Sequence, residues 1–397
     1  VHYLPSFFIF VSIAGLSPSL QAAPIKPSQN LASDQSVKVR VSFGTHYTFK
    51  ILGRDLSLSQ QGSAVGEVDW KVECGRSSTG EIVAKTQQGH QFSLPLTLQS
   101  KTGFLKFNTY LLREKISLIP KKDGGCLVVN TLGLDHYLAG LINREMSPSW
   151  PIEALKAQAV ASRSYAISRM RESLGKDFDL ENSTMDQVYE GAQAETGKSH
   201  MAVTQTKNIT LNFKQGPLKA YFHANCGGRT ELPESVWGDG KVSAFKTVAC
   251  PFHKKTSNKK TWNVFLSNDQ IEHALRKVSG LLPSTFLSLA KVEAGAINPS
   301  ERVSDLILSD ARGNNVIIPA TAFRSAIGNM KVKSTSFSLA ESNGRVAIRG
   351  EGFGHGVGMC QVGAKSMAEN GKSFHQILKY YYPLAQLSTL SSIARSL

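Results

Sequence analysis

Five cysteines in 397 residues, at positions 74, 126, 226, 250 and 360, are too few and too scattered for a disulfide-dense scaffold. Acidic side chains are also scarce. Thirty Asp and Glu stand against 45 Lys and Arg, a formal net charge of +15, and only 19% of residues are charged. Beyond the first residues there is no uninterrupted apolar stretch of the roughly 18 residues that a membrane span needs. His-Glu-x-x-His and Gly-x-Ser-x-Gly are missing, which removes the commonest zinc protease and serine hydrolase patterns. Lys254, Lys255, Lys259 and Lys260 form the densest basic cluster, but without interleaved aromatics or a recognisable module they read as a solvated loop and not as a nucleic-acid site. What remains is an ordinary globular mixture, 41% apolar with 33 Gly, that excludes disorder and collagen-like repeats.

The chain opens with a short apolar run, Val1 to Leu16, and Leu20-Gln21-Ala22 supplies a small residue where a signal peptidase cuts. An export signal is expected over residues 1–22 and a polar linker over 23–36, so that a basic mature protein without a stable membrane span meets anionic polymers outside the cytoplasm. From Val37 to Phe43, apolar and polar residues alternate with the period of a half-buried strand. Further strand-like pieces at Phe104–Phe107, Ile116–Ile119 and Cys126–Val129 complete a small, mostly β lobe over 37–131. The segment 132–390 reads as a mixed α+β catalytic domain with a substrate groove, with strands at Val303–Leu308 and Asn315–Pro319, and 391–397 as a tail. The fold class is α+β.

Leu134, Tyr137, Leu138, Leu141 and Ile142 mark one face of a helix that Ser147-Pro148-Ser149 stops after Met146. Glu145 lies eleven residues after Leu134, within about 20° of that apolar stripe at 100° per residue. Burial and the negative end of the helix dipole both raise a carboxyl pKa, as a general acid requires. A Glu that snorkels to water or pairs with Arg144 is the alternative. Glu153 is the second candidate; with Pro151 as first helical residue it sits where a charged Glu caps its own helix, which runs through small residues to Leu174. Lys156 and Arg163 on that helix read as a solvated face or an ion pair. A further helix from about Cys360 to Glu369 is followed by a last one, opened by a Ser373/Gln376 capping box and ended by Pro383.

The run Gly350-Glu-Gly-Phe-Gly-His-Gly-Val-Gly-Met-Cys-Gln361 spaces glycines every second residue, unlike a dinucleotide fingerprint. Gly354 and Gly356 leave His355 uncrowded on a backbone that a ligand or another chain can approach. His223, Cys226, Cys250 and His253 form His-x-x-Cys and Cys-x-x-His pairs. Their spacing is within reach of a tetrahedral structural zinc, and a Cys226–Cys250 disulfide competes with that reading.

Two long stretches, Trp150-Pro-Ile-Glu-Ala-Leu-Lys-Ala-Gln-Ala-Val-Ala-Ser-Arg-Ser-Tyr165 and Gly352-Phe-Gly-His-Gly-Val-Gly-Met-Cys-Gln-Val-Gly-Ala364, resemble the stage II sporulation protein D (SpoIID) family, which includes the amidase-enhancer proteins called LytB. Asp186-Gln-Val-Tyr-Glu-Gly191, Cys226-Gly-Gly-Arg-Thr230, Val236-Trp-Gly238, Lys333-Ser-Thr-Ser-Phe337 and Tyr380-Tyr-Tyr-Pro383 add to the likeness. The resemblance implies an exported, periplasmic or wall-associated lytic transglycosylase that cuts peptidoglycan glycan strands, favouring peptide-free ones, needs no cofactor, and uses Glu145 as its acid. It also implies the alternative of a non-catalytic glycan-binding enhancer of an N-acetylmuramoyl-L-alanine amidase, and some members bind zinc through Cys and His. His355, Gln361, Asp186, Gln187 and Tyr189, with Gly354 and Gly356, are then expected to line the sugar groove. Cys360 stands where Ser is common in the family, Val362 where Trp is common, and Ser147 interrupts a Glu-Met-Pro pattern.

Overall fold

The computed structural model describes residues 37–59, 64–184, 186–214, 216–238, 244–252, 261–342 and 344–390. The expected export signal, linker and tail, together with His253 and the Lys254–Lys260 cluster, lie outside them.

Strands β1 (Lys38–His46), β2 (Thr48–Leu58), β3 (Ala64–Arg76), β4 (Ile82–Thr86), β5 (Gln91–Ser93), β6 (Leu96–Phe107), β7 (Tyr110–Pro120), β8 (Cys126–Gly133) and β9 (Leu180–Glu181) form one sheet, in the order β5-β4-β3-β2-β6-β7-β8-β1-β9. All neighbours are antiparallel except β9, which runs parallel to β1. Register shifts in β1, β2 and β6 add local bend and twist. A disulfide joins Cys74 on β3 to Cys126 on β8, strands well separated in the sheet order, with Cα atoms 5.9 Å apart. The sheet therefore curls back on itself. Cys226 and Cys250 are free and buried, so the Cys226–Cys250 bridge that competes with the zinc reading is not formed.

Helix α1 (Leu134–Glu145) leaves β8 without a loop and buries the predicted stripe; Met146 ends it in extended conformation. Helix α2 (Ile152–Glu172) begins one residue later than expected, with Pro151 at the N-cap, and stops short of Leu174. Its central residues are buried on every side, as in a helix packed within a core. Arg163 is fully buried and not on a solvated face; it takes the ion-pair alternative, meeting Asp135 near the start of α1 at 3.2 Å, and binds the Val203 and Thr206 carbonyls at the end of α3 (Gly197–Gln205). Strands β10 (Ile209–Phe213), β11 (Gly216–Pro217) and β12 (Phe222–His223) and helix α4 (Pro233–Trp237) follow.

A second apolar cluster belongs to residues 261–351: β13 (Thr261–Ser267), α5 (Asn268–Arg276), β14 (Leu289–Ala294), β15 (Asp305–Asp310), β16 (Asn315–Pro319), α6 (Ala320–Ile327), β17 (Phe337–Ser342) and β18 (Arg345–Glu351). The chain then returns to the first cluster through β19 (Met359–Cys360), parallel to β12, then α7 (Gln361–Glu369), α8 (Phe374–Tyr381) and β20 (Gln386–Thr389) beside β10. Ser373 and Gln376 make the predicted capping box. One buried cluster spans the N-terminal sheet, α1, α2 and the C-terminal helices. The packing therefore does not break at residue 131; it separates residues 261–351 as an accessory lobe. The mixed helices and antiparallel strands bear out the α+β class.

Candidate active site and metal centre

Glu145 ends α1 half-buried, between the Asp186–Gly191 segment and the first residue of α7. Gly140 makes that approach feasible: a Cβ there would stand 2.6 Å from the Tyr189 ring and 2.9 Å from the Gly191 carbonyl. With the segment pressed against α1, the Val188 backbone N–H donates to the Glu145 carboxylate. Gln361 Nε2 donates to Glu145 Oε2 at 3.2 Å, and Gln361 is oriented by Gln158, itself bonded to Ser162. Burial raises the Glu145 pKa, and the Gln361 and Val188 donors and Arg144 offset only part of that rise. Nearby carboxylates are already committed: Asp186 to Tyr165 (2.8 Å) and Arg169 (2.9 Å), Glu190 to Arg144 (2.9 Å) and Glu195 to Arg113 (2.6 Å).

Glu153 belongs elsewhere. Its carboxylate pairs with Lys156 at 2.7 Å and accepts the Phe374 N–H at 2.8 Å, so it caps α8 and not its own helix. Burial works to raise its pKa, but these partners outweigh it and hold the group below the usual range. A carboxylate so held is a poor general acid.

The groove residues divide. Asp186, Gly354 and His355 line a cavity of about 460 Å³ against α6. His355 Nδ1 accepts the Val357 N–H at 3.0 Å, and its ring stands beside Trp237, with centroids 5.2 Å apart. Burial, together with neighbouring His223, Arg302 and Arg324, holds His355 neutral, well below the usual imidazole range. Gln361 points to Glu145. Gln187 and Tyr189 are buried core residues and not groove lining: Gln187 accepts the Tyr137 hydroxyl at 3.0 Å, and Tyr189 fills the space over Gly140. Gly356, with φ +88°, is covered by the Arg302 guanidinium, so it too faces inward.

The cysteines converge differently from the sequence expectation. His223, Cys226 and Cys360 bring their ligand atoms within 4.8 Å of one another. Cys250 interacts with both sulfurs and lies 3.1 Å from the Tyr381 hydroxyl. His223 Nδ1 is engaged by the Val357 carbonyl at 3.0 Å, leaving a buried Nε2 without a hydrogen-bond partner among the described residues. A histidine fixed through one nitrogen with the other bare is prepared as a metal ligand. Backbone N–H groups of Cys226 and Gly363 donate to Cys360 Sγ, and that of Gly228 to Cys226 Sγ. His223, Cys226 and Cys360 supply three of the ligand atoms that a closed zinc site needs, and the Cys250 thiol beside both sulfurs is the candidate for the fourth. Cys360, absent from the set read from sequence, joins this cluster, while His253 lies outside the described residues. The sequence signal was present, a Cys where the resembling family commonly has Ser, but it stands 134 residues from Cys226.

Buried Arg302 reaches this centre from the accessory lobe, donating to the Cys226 carbonyl at 2.6 Å. In return, buried Glu231 accepts from Asn298 (3.0 Å) and Ser300 (2.6 Å) of that lobe.

Comparison with known proteins agrees with this architecture. The sequence profile described as Stage II sporulation protein matches residues 122–213, which include α1 and α2, and that of a domain of unknown function matches 237–358, which include the whole accessory lobe. An uncharacterized protein of Brachyspira hyodysenteriae is 34% identical over 294 residues, covering 72% of this chain and 74% of that one. Stage II sporulation protein D of Bacillus subtilis is 28% identical, covering 66% of this chain and 76% of its own. The Bacillus subtilis amidase enhancer is also 28% identical, covering 64% of this chain, which spans 40% of the enhancer's length. The chain belongs to the SpoIID/LytB family.

Proposed function

We propose that this is an exported cell-wall protein that cleaves peptidoglycan glycan strands, preferably peptide-free, as a lytic transglycosylase. The observation that carries this reading is Glu145, a half-buried carboxyl whose pKa is raised by burial and whose contacts are the neutral donors Gln361 and Val188. In the protonated form it donates its proton to the glycosidic oxygen as the bond to the muramoyl anomeric carbon breaks. The resulting carboxylate then takes the proton of that sugar's own 6-hydroxyl, whose oxygen closes on the anomeric carbon. Glu145 ends protonated, no water is consumed, and a 1,6-anhydromuramoyl end results. One carboxylate suffices because the nucleophile is intramolecular, unlike in the paired-carboxylate glycosidases. The Cys74–Cys126 disulfide and the net charge of +15 suit an oxidising compartment and an anionic polymer.

His223, Cys226, Cys250 and Cys360 would hold a structural zinc. Such an ion, closed to substrate, supplies folding energy and fixes the start of α7, where Gln361 directly follows Cys360. Metal analysis of purified protein is expected to give one zinc per chain, falling sharply in Cys360→Ser.

Incubation of wild type and Glu145→Gln with peptide-free strands tests the activity. Anhydro ends are expected with wild type only, and equal yields from both proteins would remove Glu145 from the chemistry. The relation to an amidase enhancer favours a second reading, a glycan-binding stimulator of an amidase. It predicts no anhydro ends from either protein and faster turnover by that amidase in the presence of both.

A further inference from the structure

The cavity of about 460 Å³ lies where α6 of the accessory lobe faces α4 and the glycine-rich loop. It has the size of a small-molecule pocket, in the range of roughly 300–1,000 Å³. One wall is aromatic. Tyr221 and Trp237 stack with centroids 4.5 Å apart, and Trp237 keeps 42% of its surface exposed, leaving aromatic surface of the kind that packs on the C–H face of a sugar. Ser325 and Asn329 add polar groups to the lining.

Charge sets the character of this space. Arg324 lines it half-buried, its Nε committed to the Val332 carbonyl at 3.1 Å, and among the described residues no carboxylate forms an ion pair with it. Arg302 and His355 are the charged or titratable groups close enough to act on it, and neither offsets its charge. Asp186 also lines the cavity, but its oxygens are taken by Arg169, Tyr165 and the Glu181 N–H. A half-buried cation without an anion is costly, and an anionic ligand relieves that cost.

We propose that the cavity is a subsite for an acidic sugar and that Arg324 determines its specificity by pairing with a free carboxylate while Trp237 packs on the ring. The assignment of that sugar rests on the glycan-cleaving reading above: the acidic sugar of peptidoglycan is N-acetylmuramic acid, whose lactyl carboxylate is free only where no peptide is attached. A peptide converts that carboxylate to an amide and removes the charge. Preference for peptide-free strands is thus read by a residue of the accessory lobe, away from Glu145, which does not line the cavity.

Calorimetric titration with the disaccharide N-acetylglucosaminyl-N-acetylmuramic acid and with its lactyl methyl ester tests this. The disaccharide carries muramic acid at its reducing end and holds no bond of the type cleaved, so binding is measured apart from catalysis. Wild type is expected to prefer the free acid about tenfold, a preference lost in Arg324→Gln with ester affinity unchanged and partly kept in Arg324→Lys. Equal binding of acid and ester by wild type, binding of neither, or a preference that survives in Arg324→Gln overturns the assignment. If Arg324→Gln does not fold, Arg324→Lys carries the test, and an undiminished preference there, with the guanidinium fork gone, counts against Arg324. Failure here leaves the anhydro-end assay untouched, and absence of anhydro ends leaves these affinities untouched.

Discussion

Replacing Gln361 with Met keeps the side-chain length while removing the Nε2 donor that stands 3.2 Å from Glu145 Oε2. That bond favours the ionised form of Glu145, so its loss destabilises the carboxylate and moves the pKa further upward. A hydrogen bond to the carboxylate contributes about 1.5–3 kcal/mol net and one to the neutral acid about 0.5–1.5, so the difference that sets the pKa is on the order of 0.5–1.5 kcal/mol. At 1.36 kcal/mol per pKa unit, the shift is about 0.4–1.1 units. The alkaline limb of kcat/KM for anhydro-end formation reports the acid form in the free enzyme and is expected to move upward by that amount. NMR titration of a carboxyl-labelled Glu145 gives the same quantity without turnover. The substitution also deprives Gln158 Oε1 of its 3.4 Å contact, so a stability loss of about 1–3 kcal/mol should accompany it. A Glu145 pKa that stays within about 0.2 units of wild type or falls, in a folded variant that keeps its metal content, refutes the role given to Gln361.

Glu145→Gln should stabilise the fold at neutral pH: a carboxyl raised by burial binds its proton more tightly folded than unfolded, so its contribution is fully present below the unfolded value near 4.5 and is lost as pH rises through the folded value. Melting curves are expected to favour the variant at pH 7, with the advantage shrinking as the pH falls through the folded value towards 4.5 and gone below that. Gly140→Ala drives a methyl group into Tyr189 and the Gly191 carbonyl, so chemical denaturation should show a loss of about 1–3 kcal/mol, and the displaced Val188 donor should lower anhydro-end yield. Breaking the Cys74–Cys126 bridge, which spans 52 residues, should cost about 4 kcal/mol by loop entropy, read as a lower denaturant midpoint in a Cys74→Ser/Cys126→Ser variant.

Local signals carried well from sequence to structure. The stripe from Leu134 to Ile142 put Glu145 on the correct helix end, and the Ser373/Gln376 pair marked the start of α8, because both depend on residues within a turn or two of each other. The strand Asn315–Pro319 was equally legible. Long-range pairing was not. Cys74 and Cys126 meet only because a sheet curls, and Cys360 joins Cys226 only through the β12–β19 pairing. Gln187 and Tyr189 belong to a motif that resembles a groove segment, yet Gly140 gives the Tyr189 ring somewhere to sink and the Tyr137 hydroxyl holds Gln187, and no pattern within the motif reports a missing Cβ or a hydroxyl on a distant helix. Glu153 was misread in its partner, since its acceptor role serves a helix that begins 221 residues later.

The exchange of Arg302 for Glu231 bears on how this molecule comes apart. Each lobe lends the other a buried charged side chain, and breaking such an arrangement from one side leaves a group that burial penalises by several kcal/mol. Residues 261–351 have an apolar cluster of their own, which by itself would favour separate melting. The reciprocal insertion opposes that, linking the lobes so that heat or denaturant should take them through one shared transition. Excising the accessory lobe would not yield a smaller version of the same protein; it would leave Glu231 Oε2 and the Cys226 carbonyl without the donors that lobe supplies, with only the Leu232 N–H left to Glu231.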